Sequence, residues 1–509
     1  MGIMKKLSAG TQLNSNYESC QFYIGEAEAE AEANVNAKIG LIDFFSDYLG
    51  IFDKLDQQHF LIIGRKGSGK TAIAEYIMKH SENTPTLSCC FIRHSDIDLY
   101  RAITNIESIN ISSYAFFEWI ILINIVDNII CHNEIFNYKN ISDLKKFYEV
   151  NSGMVSIMAR ETTNAIDEQS FTVKLEYLKR FFTSSLNKKL SISSERAPFF
   201  KVIKELKEFV ISCMHCKHNI ENENYFYIMI DDLDVNFDAN NINHVKGIAE
   251  LIRAAKEYNN LLADCFFKVI IFIRDDILNA IDSCSADMNK IITSYGVKIN
   301  WYDYNTFNND IDSLPLKKMI DNRIKINFDK MGKRYTKIWY DFINDKNYAF
   351  FKNIIDITFA RPRDMICFFA TVSDMKTNFP LTQKEKTKLE KNYCNTIVSE
   401  LKNELSNFYH FEQVDSIFQS LRILIREKEN GFKLDTLYTA LSRTNIQIDP
   451  KKTAEFLFDR SIIGLYLENN DMPFLRFKYR EDRMSPIQIY DSDRLTLHKS
   501  IYKYFTTHN

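Results

Sequence analysis

Three of the fourteen glycines in this 509-residue chain fall within six residues, in Phe60-Leu-Ile-Ile-Gly64-Arg-Lys-Gly67-Ser-Gly69-Lys70-Thr71. The spacing is Gly, four residues, then Gly-Lys-Thr, the pattern of a loop that wraps a phosphate chain. Its surroundings suit that role. Phe60 to Ile63 is a continuous apolar run, as a strand of a parallel sheet covered on both faces requires. Ala72-Ile-Ala-Glu-Tyr-Ile-Met has the spacing of the helix that follows. Glycine lets the backbone curl without Cβ clashes, so N–H groups from Gly64, Arg65, Lys66, Gly67, Ser68, Gly69, Lys70, Thr71 and Ala72 form the expected cradle. Lys70 is placed to reach the outer phosphates and the Thr71 hydroxyl to reach Mg²⁺, with the positive end of the helix dipole behind them.

The bulk properties limit what else the chain can be. Its length exceeds one hydrophobic core and suits about three domains. Hydrophobic content of 45%, charged content of 26% and a formal net charge of -3 are ordinary for a globular protein and give no global pull toward nucleic acid or an anionic membrane. No stretch reaches the ~18 uncharged apolar residues that span a bilayer, and the start, Met1-Gly-Ile-Met-Lys-Lys-Leu, lacks the pattern of a signal peptide. The ten cysteines are scattered, as for reduced thiols, so a cytoplasmic setting is expected. Cys213-Met-His215-Cys216-Lys-His218 has metal-like residue types, but all lie within six residues, and a helix end with ordinary thiols and imidazoles is the expectation.

Along the chain, the patterning predicts an N-terminal segment over 1–40, an α/β core over 41–300, a helical lid over 301–408 and a winged-helix-like domain over 409–509. The acidic tract Glu26-Ala-Glu-Ala-Glu-Ala-Glu-Ala reads as a solvated helix start, and Asp43 to Phe52 as one amphipathic helix. Ser88-Cys-Cys-Phe-Ile-Arg is a second strand. Residues 110–210 lack strand punctuation and read as a largely helical insertion. Tyr225-Phe-Tyr-Ile-Met-Ile and Phe266-Phe-Lys-Val-Ile-Ile-Phe-Ile are two further buried strands with a helix over Val245 to Glu257 between them. The fold class is therefore α/β with a parallel sheet.

Those strands deliver chemistry to the same place. Asp231 and Asp232 close an apolar strand, a stiff arm that would hold Asp231 toward Mg²⁺ and Asp232 toward an attacking water. Arg274 closes the next strand and could stabilise a γ-phosphate, the alternative being an ion pair with Asp275 or Asp276. Arg361-Pro-Arg363-Asp364 starts a helix, from which Arg361 or Arg363 could reach a nucleotide. The stretch Arg476-Phe-Lys-Tyr-Arg480 could form a basic wing.

Together Gly64-Arg-Lys-Gly-Ser-Gly-Lys-Thr-Ala, Asp231-Asp-Leu-Asp, Phe272-Ile-Arg-Asp-Asp-Ile and Arg361-Pro-Arg-Asp resemble a family of bacterial P-loop ATPases related to the AAA+ and STAND ATPases, with the core, lid and winged-helix layout of the origin-recognition clade. The resemblance implies ATP and Mg²⁺ as ligands, ATP hydrolysis, and switching coupled to self-assembly as a homo-oligomer or to a separately encoded effector. Asp232 is one methylene shorter than the Glu often found at its position in related ATPases, so slow hydrolysis is expected. It also implies a setting in antiphage defence loci. A nucleic-acid-binding protein that reads DNA through its winged helix is the second reading. A small-molecule kinase is a third, though nothing in the sequence marks an acceptor pocket. The trans-acting arginine of such ATPases has no recognisable counterpart here.

Overall fold

The structure, a computed structural model, describes residues 21–507 except 94–98, 109, 152–171, 217–220, 222, 283–286, 376–377, 407, 426–430, 444–448, 468–473, 481–488 and 491. The chain forms two compact units. Of the described residues, the first contains those within 50–66 and 70–299, and the second those within 21–49, 67–69 and 300–507.

The first unit is built on strands β1 (Leu61–Ile63), β2 (Leu87–Ile92), β3 (Thr172–Lys174), β4 (Arg196–Pro198), β5 (Tyr225–Ile230), β6 (Phe267–Ile273) and β7 (Gly296–Lys298). Five of them form one sheet in the order β2-β5-β6-β1-β7, parallel throughout. The apolar runs read from the sequence are its buried strands: Leu61, Ile62, Ile228, Met229 and Val269 to Phe272 are all sealed from solvent. The register matters for function. Ile63 lies opposite Ile273 and Ile230 opposite Ile271, so β1, β5 and β6 end almost level. Gly64, Asp231 and Arg274, the residues that follow them, emerge at one sheet edge, where open α/β sheets bind ligands. Strand β7 was not foreseen; at three residues it is too short for its periodicity to show.

The insertion between β2 and β5 is largely helical, with helices Ser113–Cys131, Ile141–Asn151, Glu176–Leu186 and Phe199–Met214. It also holds the short antiparallel pair β3–β4, which the sequence did not signal. Helix Ser113–Cys131 is long and apolar enough by composition to cross a membrane. Here it is an interior helix packed on helices Phe199–Met214 and Ile242–Leu261. Its buried Glu118 accepts from Lys207 Nζ at 3.0 Å, and Lys207 also holds Glu257 at 2.6 Å. Cys213, at the end of helix Phe199–Met214, is buried and donates to the Tyr138 hydroxyl at 3.1 Å. Among the described residues no group of three or more His, Cys, Asp and Glu side chains comes together as a metal site; His218 lies outside them.

In the second unit the lid helices Pro315–Lys330, Ile338–Ile343, Ala349–Ile357, Pro362–Phe369 and Gln383–Leu405 close around Phe328, Trp339, Phe342, Phe351 and Phe369. The acidic tract departs from the expectation of a solvated helix. Glu32 is only 2% exposed, forked onto Arg323 at 2.5 and 2.9 Å. Arg323 also donates to the Ile24 carbonyl at 2.8 Å, and the Asn327 side chain pairs with both the N–H and the C=O of Tyr23 at 2.7 and 2.8 Å. Gly25 has φ +112, and a Cβ there would overlap Arg323 and Glu32, so only glycine lets the segment lie this close to the lid. The single helix expected over Asp43 to Phe52 is two, Leu41–Phe44 and Ile51–Leu55. Extended backbone at Phe45 and left-handed Gly50 interrupt the pattern.

The C-terminal module has helices Phe411–Leu424, Leu434–Ser442 and Pro450–Asp459, with strands β8 (Phe432–Lys433), β9 (Ile463–Leu467), β10 (Phe474–Arg476) and β11 (Arg494–Leu497). The strands form an antiparallel sheet in the order β10-β9-β11-β8. Three helices against a small antiparallel sheet make it winged-helix-like. It joins the lid through a ring stack: Phe359 lies 4.4 Å from His498 and edge-on to Tyr479.

Candidate functional site

In the first unit, Gly64 ends β1 and its N–H bonds the Ile273 carbonyl at 3.1 Å. Arg65 is half-buried and Lys66 exposed. Helix Lys70–Ser81 starts at Lys70, with Thr71 and Ala72 in its first turn. The Thr71 hydroxyl donates to Asp231 Oδ2 at 2.7 Å, across 160 residues of sequence. The two segments singled out by their motifs therefore meet side chain to side chain.

The electrostatics of that meeting are unbalanced. Asp231 is 4% exposed, and burial pushes its carboxyl up to about 6, against the pull of Lys70 and the Thr71 hydroxyl. Lys70 does not ion-pair with it. Its ammonium donates to the Gly64 and Arg65 carbonyls at 2.9 and 3.2 Å, and burial lowers its pKa despite the nearby Asp231 and Asp234. Asp232 has φ +61, a left-handed conformation that costs a non-glycine residue and is typical of functional turns.

Arg274 is placed at the same edge but heavily engaged. It grips Asp276 with Nε at 3.0 Å and with Nη2, while Nη1 donates to Asp234 at 2.9 Å. Burial opposes its charge, yet Asp276 and Asp234 carry its pKa above the ordinary value. Asp234 is correspondingly held low by Arg274 against its own burial. The ion pair to Asp276 was the alternative read from the sequence; the bond to Asp234 was not, because a residue four places past a strand end has no periodic signal.

The tip of the loop, Gly67–Gly69, packs within the second unit. Gly67 has φ +79 and Gly69 φ +93, the left-handed region that glycine favours. A Cβ on Gly67 would sit 3.2 Å from the Arg363 side chain and 3.6 Å from that of Arg361. The Arg363 N–H donates to the Gly67 carbonyl at 3.4 Å, and its Nε to the Ala27 carbonyl at 3.3 Å. The two lid arginines differ. Arg361 is committed to Asp364, through Nε at 2.8 Å and Nη2 at 2.7 Å, in the capping box of helix Pro362–Phe369. Arg363 is the one lying against the loop. Sequence reading missed Trp301, whose Nε1 donates to the Ser68 carbonyl at 2.8 Å; a lone tryptophan after a three-residue strand carries no motif.

The residues fit a magnesium nucleotide on three counts. The Ser68 hydroxyl is buried with no hydrogen-bond partner, the glycines keep the loop clear of Cβ atoms, and the Asp231 carboxyl is one whose ionisation a divalent cation would favour. Magnesium is commonly held by one or two carboxylates plus substrate phosphates rather than an all-protein cage, consistent with Asp231 and Thr71 alone.

In the basic stretch near the C-terminus, Arg476 ends a strand paired with β9, and Arg476 and Lys478 are half-buried. Phe477 and Tyr479 are buried, and Arg480 bonds Asp356 at 2.8 Å while packing on Tyr302 and Tyr479.

Residues 315–402 match a family model described as the FunZ-associated C-terminal helical domain. No curated protein sequence matches the chain. Among solved structures it is similar to the Aeropyrum pernix ORC2 protein, solved as ADPNP and ADP complexes, at 10% identity and a TM-score of 0.29 over 88% of each chain. A similarity so distant establishes neither a shared activity nor a shared ligand.

Proposed function

We propose that this protein binds Mg-ATP in the loop Gly64–Thr71 and hydrolyses it as a molecular switch. The observation that carries the reading is the 2.7 Å bond from Thr71 to Asp231, which sets a hydroxyl and a buried carboxylate beside the lysine of a glycine-rich loop. Lys70 and the loop amides would hold the phosphates, and Thr71 and Asp231 the Mg²⁺. The metal would supply charge neutralisation at the phosphates. Asp232, held in its left-handed turn, is the group we assign to orienting the attacking water, and Arg363 the one through which the lid would sense the nucleotide. Arg274 would have to give up Asp234 to reach a phosphate, which favours slow turnover.

The output we propose is regulation of the protein's own assembly or of a separately encoded effector, in bacterial antiphage defence. Its support is the motif resemblance together with the FunZ-associated model over 315–402. DNA reading by the winged helix is the weaker alternative, because the basic side chain of Arg480 is spent on Asp356.

Calorimetry with Mg-ATP and phosphate release from the purified protein test the reading. Wild type should bind and turn over, Lys70→Ala should lose binding at least a hundredfold, and Asp231→Ala should lose turnover. Absence of wild-type binding sinks the proposal; binding without phosphate release leaves a nucleotide-sensing protein that is not an ATPase.

A further inference from the structure

We infer that Trp301 is a positioning residue of the phosphate loop, acting from outside it. The inference rests on the nucleotide reading above and adds a residue that no motif marks. In a trans peptide the C=O and the following N–H point in opposite directions. Trp301 Nε1 holds the Ser68 carbonyl at 2.8 Å, so it fixes the direction of the Gly69 N–H, turned away from the indole. The Arg363 N–H on the Gly67 carbonyl does the same for the Ser68 N–H. Both glycines adopt left-handed φ and carry no side chain that could hold these peptides against rotation. The two external donors therefore supply the order that the loop's own residues lack, and amides of such a loop are what grip a phosphate.

Trp301 is itself well anchored. Its ring packs against the lid core, and the next residue, Tyr302, is buried beside Phe307 with the Arg480 guanidinium 5.5 Å from its ring. The indole is thus set by lid and C-terminal packing rather than by the loop it orients.

The test is Trp301→Phe, which keeps a packed ring and removes the donor. One neutral hydrogen bond corresponds to a two- to roughly tenfold effect, so the Kd and KM for Mg-ATP should rise about fivefold, with kcat within twofold and the thermal midpoint almost unchanged. A purely structural role would lower the midpoint and active fraction and leave the KM of the remaining protein alone. A second measurement needs no variant: the other two tryptophans, Trp119 and Trp339, are buried, so Mg-ATP should alter acrylamide quenching of the wild-type emission. Wild-type binding with an unchanged Kd in Trp301→Phe, or with unchanged quenching, overturns the inference alone. No wild-type binding overturns the nucleotide reading with it.

Discussion

Asp231 and Glu32 are buried to nearly the same extent, 4% and 2% exposed, in opposite electrostatic company. Glu32 is forked by Arg323 through two bonds, so its charge is matched by geometry as well as sign. Asp231 receives a hydroxyl from Thr71, while the Lys70 ammonium is turned to backbone carbonyls; burial raises its carboxyl to about 6 against the pull of both. One carboxylate is satisfied by the protein and fastens a segment to the lid. The other is left short of positive charge, which suits the metal-binding role proposed for it.

The comparison breaks most sharply at Arg323. Arg323→Ala leaves Glu32 buried without its counter-ion and should cost about 3–5 kcal/mol in urea denaturation followed by tryptophan emission. The double variant Arg323→Met with Glu32→Gln should lose much less, since no charge is stranded. A loss below about 1 kcal/mol in the single variant would show that Glu32 is not dependent on Arg323.

Asp231→Asn should do the reverse. The folded carboxyl titrates near 6 against an ordinary 3.8, so the folded state holds the extra proton between those values. Its contribution to stability is present below pH 4 and is lost as pH rises through 6. Replacing it by Asn removes that loss and should raise stability at pH 7.5 by up to about 3 kcal/mol, with no gain at pH 4, while abolishing Mg²⁺-dependent nucleotide binding. A destabilised variant at pH 7.5 would mean Asp231 is a structural partner of Thr71.

The same titration predicts a smaller effect on the native protein. Mg-ATP affinity should be nearly flat above pH 7 and fall about tenfold between pH 7 and pH 5, where protons compete with the metal; calorimetry in two buffers should show proton release at pH 6. A flat profile would place the cation elsewhere. Smallest of all, Thr71→Val removes one hydrogen bond to Asp231. It should raise the carboxyl pKa further and change stability by only about 0.5–1.5 kcal/mol, read by denaturation at pH 5 and 7.5.

Much of the sheet was legible because a strand covered on both faces must be apolar along its whole length. Phe60 to Ile63, Tyr225 to Ile230 and Phe267 to Ile273 could be read directly, and with them the positions of Gly64, Asp231 and Arg274. Most of the lid helices were legible by their spacing and by the proline at 362; the six-residue helix Ile338–Ile343 was too short to show. Other features had no local signal. β7 pairs over three residues, the break between Leu41–Phe44 and Ile51–Leu55 turns on two backbone torsions, and Glu32 looks like its exposed neighbours until Arg323 is placed beside it. The same applies to Arg361 and Arg363: their spacing was visible, but only packing shows one bound to Asp364 and the other against Gly67.

By itself the sequence determined the glycine-rich loop, the carboxylates that end the strand Tyr225–Ile230 and the order of apolar and helical segments, because each depends on residues within a few positions of one another. The tertiary structure decided which buried groups find partners in distant segments: Asp234 on Arg274, Glu32 on Arg323, and the Ser68 carbonyl on Trp301. Matching depends on distance and burial between segments from 40 to 291 residues apart, and no local pattern encodes the dielectric in which two groups will meet.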